Sequence, residues 1–265
     1  MQKSFKINRM QKIILFFFFF LSFTLRRAGQ DKIEKAAHPR PHDLLIGYAL
    51  PWDWDQVDPT ELANALNENG LNFTLIEVNG KKDAQFVADW IKPFRERHIL
   101  VEIIAVNANS LDIIARPTSW FENDVQELIK VVGPQGVLFE PVSEPGNKGG
   151  DQKKIQRWME YGITQWPGPT VVNIGFEWSE PFIPCANYLE KHHCKDPDSS
   201  TLEGGLRYIH TTDCRPTLGM DPQRAAIATK AAITLNTHFL LYDGRFSHTH
   251  DINYSVLKAM GDEIK

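Results

Sequence analysis

Cysteine is scarce in this chain. Three residues in 265, Cys185, Cys194 and Cys214, allow one disulfide and one leftover thiol. Cys185 and Cys194 flank a short loop and form the preferred pair, though the sequence permits all three pairings. Two catalytic signatures are missing as well. No Gly-x-Ser-x-Gly elbow occurs, which removes the frame of a serine-nucleophile hydrolase. No Gly-rich phosphate turn follows the first strand-like run, Leu44 to Leu50, which argues against a doubly wound dinucleotide-binding sheet. The apolar block from Ile13 to Leu25 has the length of a secretory h-region and is too short to span a bilayer comfortably. Positive charge is also short. The first thirty residues carry six Lys or Arg and no acid, so beyond them 23 basic residues face 33 acidic ones, a formal charge of −10. An acidic body argues against a nucleic-acid partner and accommodates neutral or cationic ligands more easily.

What is present is an ordinary globular composition, 42% hydrophobic and 23% charged, sufficient to bury one sizeable core. Lys3, Lys6, Arg9 and Lys12 precede the apolar block, so residues 1–28 read as a signal peptide or N-terminal anchor. Arg26-Arg27-Ala28-Gly29 lacks a clean small-x-small cleavage site, which keeps the anchor open and limits any membrane contact to this segment. The expected location is secreted, periplasmic or cell-surface. Residues 29–43 are polar and punctuated by Pro and His, a linker. Residues 44–265 then form a single domain.

Within that domain one pattern repeats: a short apolar run, a polar turn, then a helix of ten to sixteen residues. Runs over 44–50, 72–78, 99–106, 136–143, 170–176, 206–210 and 238–242 predict seven strands. Helices are predicted from Asp58, over 83–98, 120–132, 152–166, from Asp221 and over 252–264, two of them opened by an Asp-Pro pair suited to capping. An eighth strand could hide in residues 179–205, which otherwise read as irregular with a short helix over Ala186 to His192. Such alternation means parallel βαβ units, and the fold class is α/β, a (β/α)8 TIM-type barrel with room for one degraded βα unit.

The most informative stretch runs from Gly136 to Gly146. A buried strand enters Glu140-Pro141-Val142-Ser143-Glu144-Pro145-Gly146 and must stop near Val142 or Ser143, because prolines cannot continue the ladder. Alternation points Glu140, Val142 and Glu144 the same way, stacking two carboxyls at the mouth of whatever the strand lines. The other strand ends carry Trp52, Asp53 and Trp54; Asn79; Asn107; Glu177 and Trp178; His210 and Asp213; and Tyr242 and Asp243. A barrel gathers these over one face. Trp rings stack on sugar rings, and Asn and Asp bind hydroxyls, so the set suits a carbohydrate. A glycosidase needs in addition two carboxyls flanking the scissile bond.

On those residues the chain resembles the large clan of retaining glycoside hydrolases built on (β/α)8 barrels. Ser143-Glu144-Pro145 is similar to that clan's Asn-Glu-Pro acid/base signature closing the fourth strand. The passage from Leu62 to Glu77 looks like its first helix running into the second strand. The resemblance implies an exported enzyme acting on an oligo- or polysaccharide, with Glu144 as the general acid/base. It departs in two places. Ser143 stands where the clan has an Asn that binds the sugar 2-hydroxyl, and no Glu closes either of the last two strands, where the clan keeps its nucleophile. Asp213 and Asp243 are the acids available there, and Glu177 is a third candidate.

Plainer roles compete for each residue. Glu144 can cap the next helix or pair with Lys148, Glu140 suits a structural acid, and His210 a hydrogen-bonded core residue; the tryptophans divide evenly between packing and sugar stacking. His248-Thr249-His250-Asp251 and His192-His193-Cys194 have metal-ligand types at short spacing but no matching partner motif, so no metal or other cofactor is expected. A barrel that binds glycans without cleaving them is the principal rival, and a metal-dependent hydrolase a weaker one.

Overall fold

The computed structural model describes residues 44–50, 54–80, 82–146, 149–193, 202–213, 221–242 and 252–265. Eight parallel strands occur in it: β1 (Ile46–Ala49), β2 (Phe73–Glu77), β3 (Leu100–Asn107), β4 (Val137–Ser143), β5 (Val171–Asn173), β6 (Tyr188–His193), β7 (Tyr208–Asp213) and β8 (His238–Tyr242). Their order in the sheet is β4-β3-β2-β1-β8-β7-β6-β5. A parallel bridge between Phe139 and Thr170, with the Phe139 amide donating to the Pro169 carbonyl at 3.1 Å, joins β4 to β5 and closes the ring. The fold is therefore the (β/α)8 barrel the alternation implied.

Seven α-helices are described: α1 (Pro59–Glu68), α2 (Ala84–Glu96), α3 (Leu111–Ile114), α4 (Thr118–Val131), α5 (Gln152–Gln165), α6 (Pro222–Leu235) and α7 (Tyr254–Ile264). Asp58, Asp83, Asp151, Asp221 and Asn253 cap five of them by accepting backbone amides in the first turn, which removes orphan donors where each helix begins. None of the described helices is long and apolar enough to cross a membrane.

Two departures from the expected pattern lie together. The segment read as a short helix over Ala186 to His192 is the strand β6, paired to β5 on one side and β7 on the other. It is the missing eighth strand. Ladder bonds on both edges override the weak local signal of a segment in which Glu190, Lys191, His192 and His193 follow one another. The turn after β5 is a 3₁₀ segment, Glu177–Cys185, instead of an α-helix, so this is the degraded unit. Cys185 within it is a free, half-buried thiol, and the preferred disulfide to Cys194 is not made. Cys194 and Cys214 lie outside the described residues.

Strand alternation divides the core into two layers. Leu45, Phe73, Leu75, Leu100, Leu138 and Leu240 pack together inside the barrel. Outside it the helices cover the strands with aromatic pairs: Phe121 stacks on Trp158 at 5.1 Å and Phe139 on Trp166 at 4.5 Å. Gly47 in β1 is required by close approach, since a Cβ there would meet the Phe73 carbonyl oxygen at 2.3 Å.

His238 ties three segments at the start of β8. Its Nδ1 accepts from the Leu45 amide at 2.9 Å, which leaves Nε2–H to donate to the Leu206 carbonyl at 2.8 Å. Burial pushes its pKa down from 6.5 to about 4. The unfolded chain therefore binds the proton first on acidification. The stability this neutral ring contributes is present in full above pH 6.5 and is lost as the pH falls through about 4, a change of roughly 3 kcal/mol. Urea midpoints for wild type and His238→Asn should converge as the pH is lowered across that window; midpoints that keep a constant separation would contradict the assignment.

Candidate active site

The C-terminal ends of the strands hold a connected polar network. β4 ends at Ser143, and the next residue, Glu144, has φ of +50°. Of the four described non-glycine residues with positive φ, two are Asn and one is His, types that tolerate it; Glu144 is the exception. Backbone strain of this kind costs about 1–3 kcal/mol and persists where the surroundings fix it. Here the turn swings the carboxyl toward β6. Glu144 Oε1 lies 3.3 Å from His192 Nδ1, and its side chain is 13% exposed.

His192 stands between two acids. Its Nε2 is 3.1 Å from Glu190 Oε2 and 2.8 Å from Asn173 Nδ2. When the ring is neutral, Asn173 donates to Nε2 and the Nδ1–H points at Glu144; in the imidazolium, the form that pairs with both acids, Nε2–H faces Glu190 Oε2 instead. Glu190, two residues down β6 and fully buried, also accepts from Asn173 Nδ2 at 2.8 Å and from the Tyr242 hydroxyl at 2.9 Å. Burial alone would raise the Glu190 carboxyl; His192, together with the surrounding hydrogen bonds, outweighs it and holds Glu190 below the ordinary value. Burial and the neighbouring acids, Glu190 first, push the Tyr242 phenol well up, so it stays a donor.

Beneath this network lie Glu102 and Glu140, both fully buried inside the barrel. Burial, then the Glu190 charge, pushes each of them well above the ordinary carboxyl value. Glu77 at the end of β2 occupies a milder setting. Asn107 Nδ2 donates to its Oε1 at 3.0 Å and Asn79 Nδ2 to its Oε2 at 3.3 Å, while burial lifts its pKa to about 7. Glu77 also senses the charges of His192 and Glu144. Glu77 and Glu190 thus sit in environments that pull them apart, the condition for one acid to hold a proton while another is ionised.

Trp178 lies against Gly146, three residues beyond the end of β4. Gly146 has φ of +91°, and a Cβ on it would come within 2.9 Å of the indole. Gly146→Ala is expected to cost roughly 1–3 kcal/mol from backbone strain, with displacement of Trp178 added. Unfolding midpoints and the Trp178 fluorescence environment would check this. An unchanged midpoint would mean the turn is not fixed.

The sequence-predicted residues divide clearly. Glu140, Glu144, Tyr242, Asn79 and Asn107 join the network or its rim. Trp54 does not: it is buried, its Nε1 donates to the Glu77 carbonyl at 2.7 Å, and its ring packs edge-on to Trp90 at 5.2 Å, which leaves no free face for a sugar. His210 is buried on the other face of β7, where its Nε2 lies 2.9 Å from the Glu203 carbonyl oxygen; it serves the loop, with its pKa lowered chiefly by burial. Glu177 is exposed at the start of the 3₁₀ segment, and Trp178 is half-buried. Asp213 is the last residue of β7. Trp52, Asp53 and Asp243 lie outside the described residues, as does the His248–Asp251 run. Sequence reasoning missed Glu77, Glu102, Asn173 and Glu190, and weighed His192 only as part of a metal-ligand run. The signal for the first two was an acid inside an apolar strand.

No protein-family model matches the chain, and no curated protein matches it in sequence. Solved structures do match in fold. A tri-modular GH5 (subfamily 4) endo-beta-1,4-glucanase from Bacillus licheniformis superposes with a TM-score of 0.60 at 12% identity over 84% of this chain; the chain spans 60% of that protein's length. The cellulose synthase subunit Z from Clostridioides difficile gives 0.53 at 12% identity, covering 82% of this chain and 99% of that one. ZgEngAGH5_4, solved in complex with a cellotriose, gives 0.52 at 10% identity, covering 85% and 97%. The likeness establishes a common barrel.

Proposed function

We propose that the chain is an exported glycoside hydrolase that cleaves an oligo- or polysaccharide, with Glu144 as proton donor. The observation that carries this reading is the Glu144–His192–Glu190 array at the C-terminal end of the barrel, where a strained carboxyl meets a histidine backed by a second buried acid. The shared fold with endoglucanases supports it. In the cleavage step Glu144 gives its proton to the glycosidic oxygen as that bond breaks. His192, its Nδ1–H facing Glu144, stabilises the carboxylate left behind. In a retaining reaction the nucleophile must lie about 5 Å from Glu144. Asp213 is our assignment for it, from its place at the end of β7, with Glu177 as the competitor.

One observation favours a second reading, a barrel that binds glycans without cleaving them. Ser143 stands where the resembled clan has a sugar-binding Asn, and it is fully buried, with no free edge for a sugar hydroxyl. Reducing-end release from a polysaccharide panel, β-1,4-glucans first, decides between the two. Turnover supports the hydrolase. Saturable binding without turnover on the whole panel would overturn it in favour of the binding protein.

A further inference from the structure

Inside the barrel one oxygen from each of Glu102, Glu140 and Glu190 lies within 4.8 Å of the others, and all three residues are fully buried. They come from β3, β4 and β6, so three separate strands converge on one point. Acidic clusters alone are common; this one carries a second feature. Neither carboxyl oxygen of Glu102 has a hydrogen-bond partner. Glu140 shares a side-chain hydrogen bond with Glu190, and no donor among the other described residues reaches it. The Oδ1 of Asn173, a fully buried residue whose amide nitrogen holds Glu190, is unpartnered too.

Buried polar atoms in folded proteins are almost always satisfied, and convergent orphan oxygens call for a partner that the described residues do not supply. Glu190 is already oriented in the way a metal-binding carboxylate is oriented, by Tyr242 on Oε1 and by Asn173 on Oε2. Its Oε1 keeps a lone pair free. All the available atoms are carboxylate or amide oxygens, the donor set of a hard divalent cation and not of zinc or copper.

We propose that Glu102, Glu140 and Glu190 bind one hard divalent cation inside the barrel. The ion sits two residues down β6 from His192 and four down β4 from Glu144, so its role is to hold the walls beneath the mouth together. The site does not depend on the glycan reading: a barrel that cleaves nothing can still bind the ion.

The test uses the whole chain. Metal content is measured by mass spectrometry on protein purified without chelator. Thermal unfolding of the EDTA-treated protein is then followed on adding Mg²⁺, Ca²⁺ or Mn²⁺ separately. The expected results are about one equivalent of a divalent cation per chain and a saturable rise in Tm with at least one of the three ions. Glu102→Gln should weaken the apparent affinity at least tenfold, and Glu140→Gln serves if that variant does not fold. Wild-type protein with no bound divalent cation and no saturable shift would overturn the proposal. So would a folded Glu102→Gln that binds the ion as the wild type does.

Discussion

Glu144→Gln is expected to lower turnover of a natural glycan by roughly 10²- to 10⁴-fold, the usual contribution of one general acid. The amide keeps the size of the carboxyl and can still bond to His192 Nδ1, so the strained turn at φ of +50° and the glycan affinity should change little. The loss therefore falls on kcat and not on KM. Initial rates over a range of glycan concentrations, wild type beside variant, measure the split. A loss confined to KM would make Glu144 a binding residue.

His192→Ala carries the second large effect, and it reaches stability as well as activity. His192 faces Glu190, which is fully buried and held ionised chiefly by that ring. Removing one partner of a buried charge pair costs roughly 3–5 kcal/mol, because the survivor stays desolvated without its counter-charge. Asn173 and Tyr242 still donate to Glu190 and soften the loss. Glu144 loses its positioning contact in the same variant, so kcat should fall beside stability. Guanidinium unfolding at neutral pH gives the first number, and His192→Gln, which restores one donor, should recover part of it. A stability loss below about 1 kcal/mol would show that the ring is not what holds Glu190 in its charged form.

The elements these effects depend on were legible in the sequence to different degrees. The end of β4 was plain: Pro145 bars the ladder from running on past Ser143, though Pro141 sits inside the paired strand, and alternation stacks Glu140 beneath Glu144. The structure keeps both, one facing Glu190 and the other His192. Helix starts were equally plain, because an Asp before Pro states its own physics. β6 was not. A barrel strand that lines a site carries polar residues inward, so Tyr188-Leu189-Glu190-Lys191-His192-His193 loses the apolar signature of its neighbours, and only the pairing with β5 and β7 identifies it. His192, which meets Glu144, was therefore read only as part of a metal-ligand run, and Glu190 behind it went unseen. Trp54 failed in the opposite direction. Its position after β1 suggested the mouth, but a ring that can reach a buried carbonyl and two aromatic partners gains more by packing than by waiting for a sugar.

The claim that Glu144 delivers a proton to a leaving group is tested most directly by changing how badly that group needs one. A dinitrophenyl glycoside departs without protonation; a sugar leaving group does not. The ratio of wild-type to Glu144→Gln kcat/KM should be large, roughly 10²-fold or more, on the natural glycan and should shrink toward unity on the dinitrophenyl glycoside, whose first step needs no proton. Equal ratios on the two substrates would contradict the assignment and move the acid to another residue, with Glu77, lifted to about 7 at the same mouth, the first to replace.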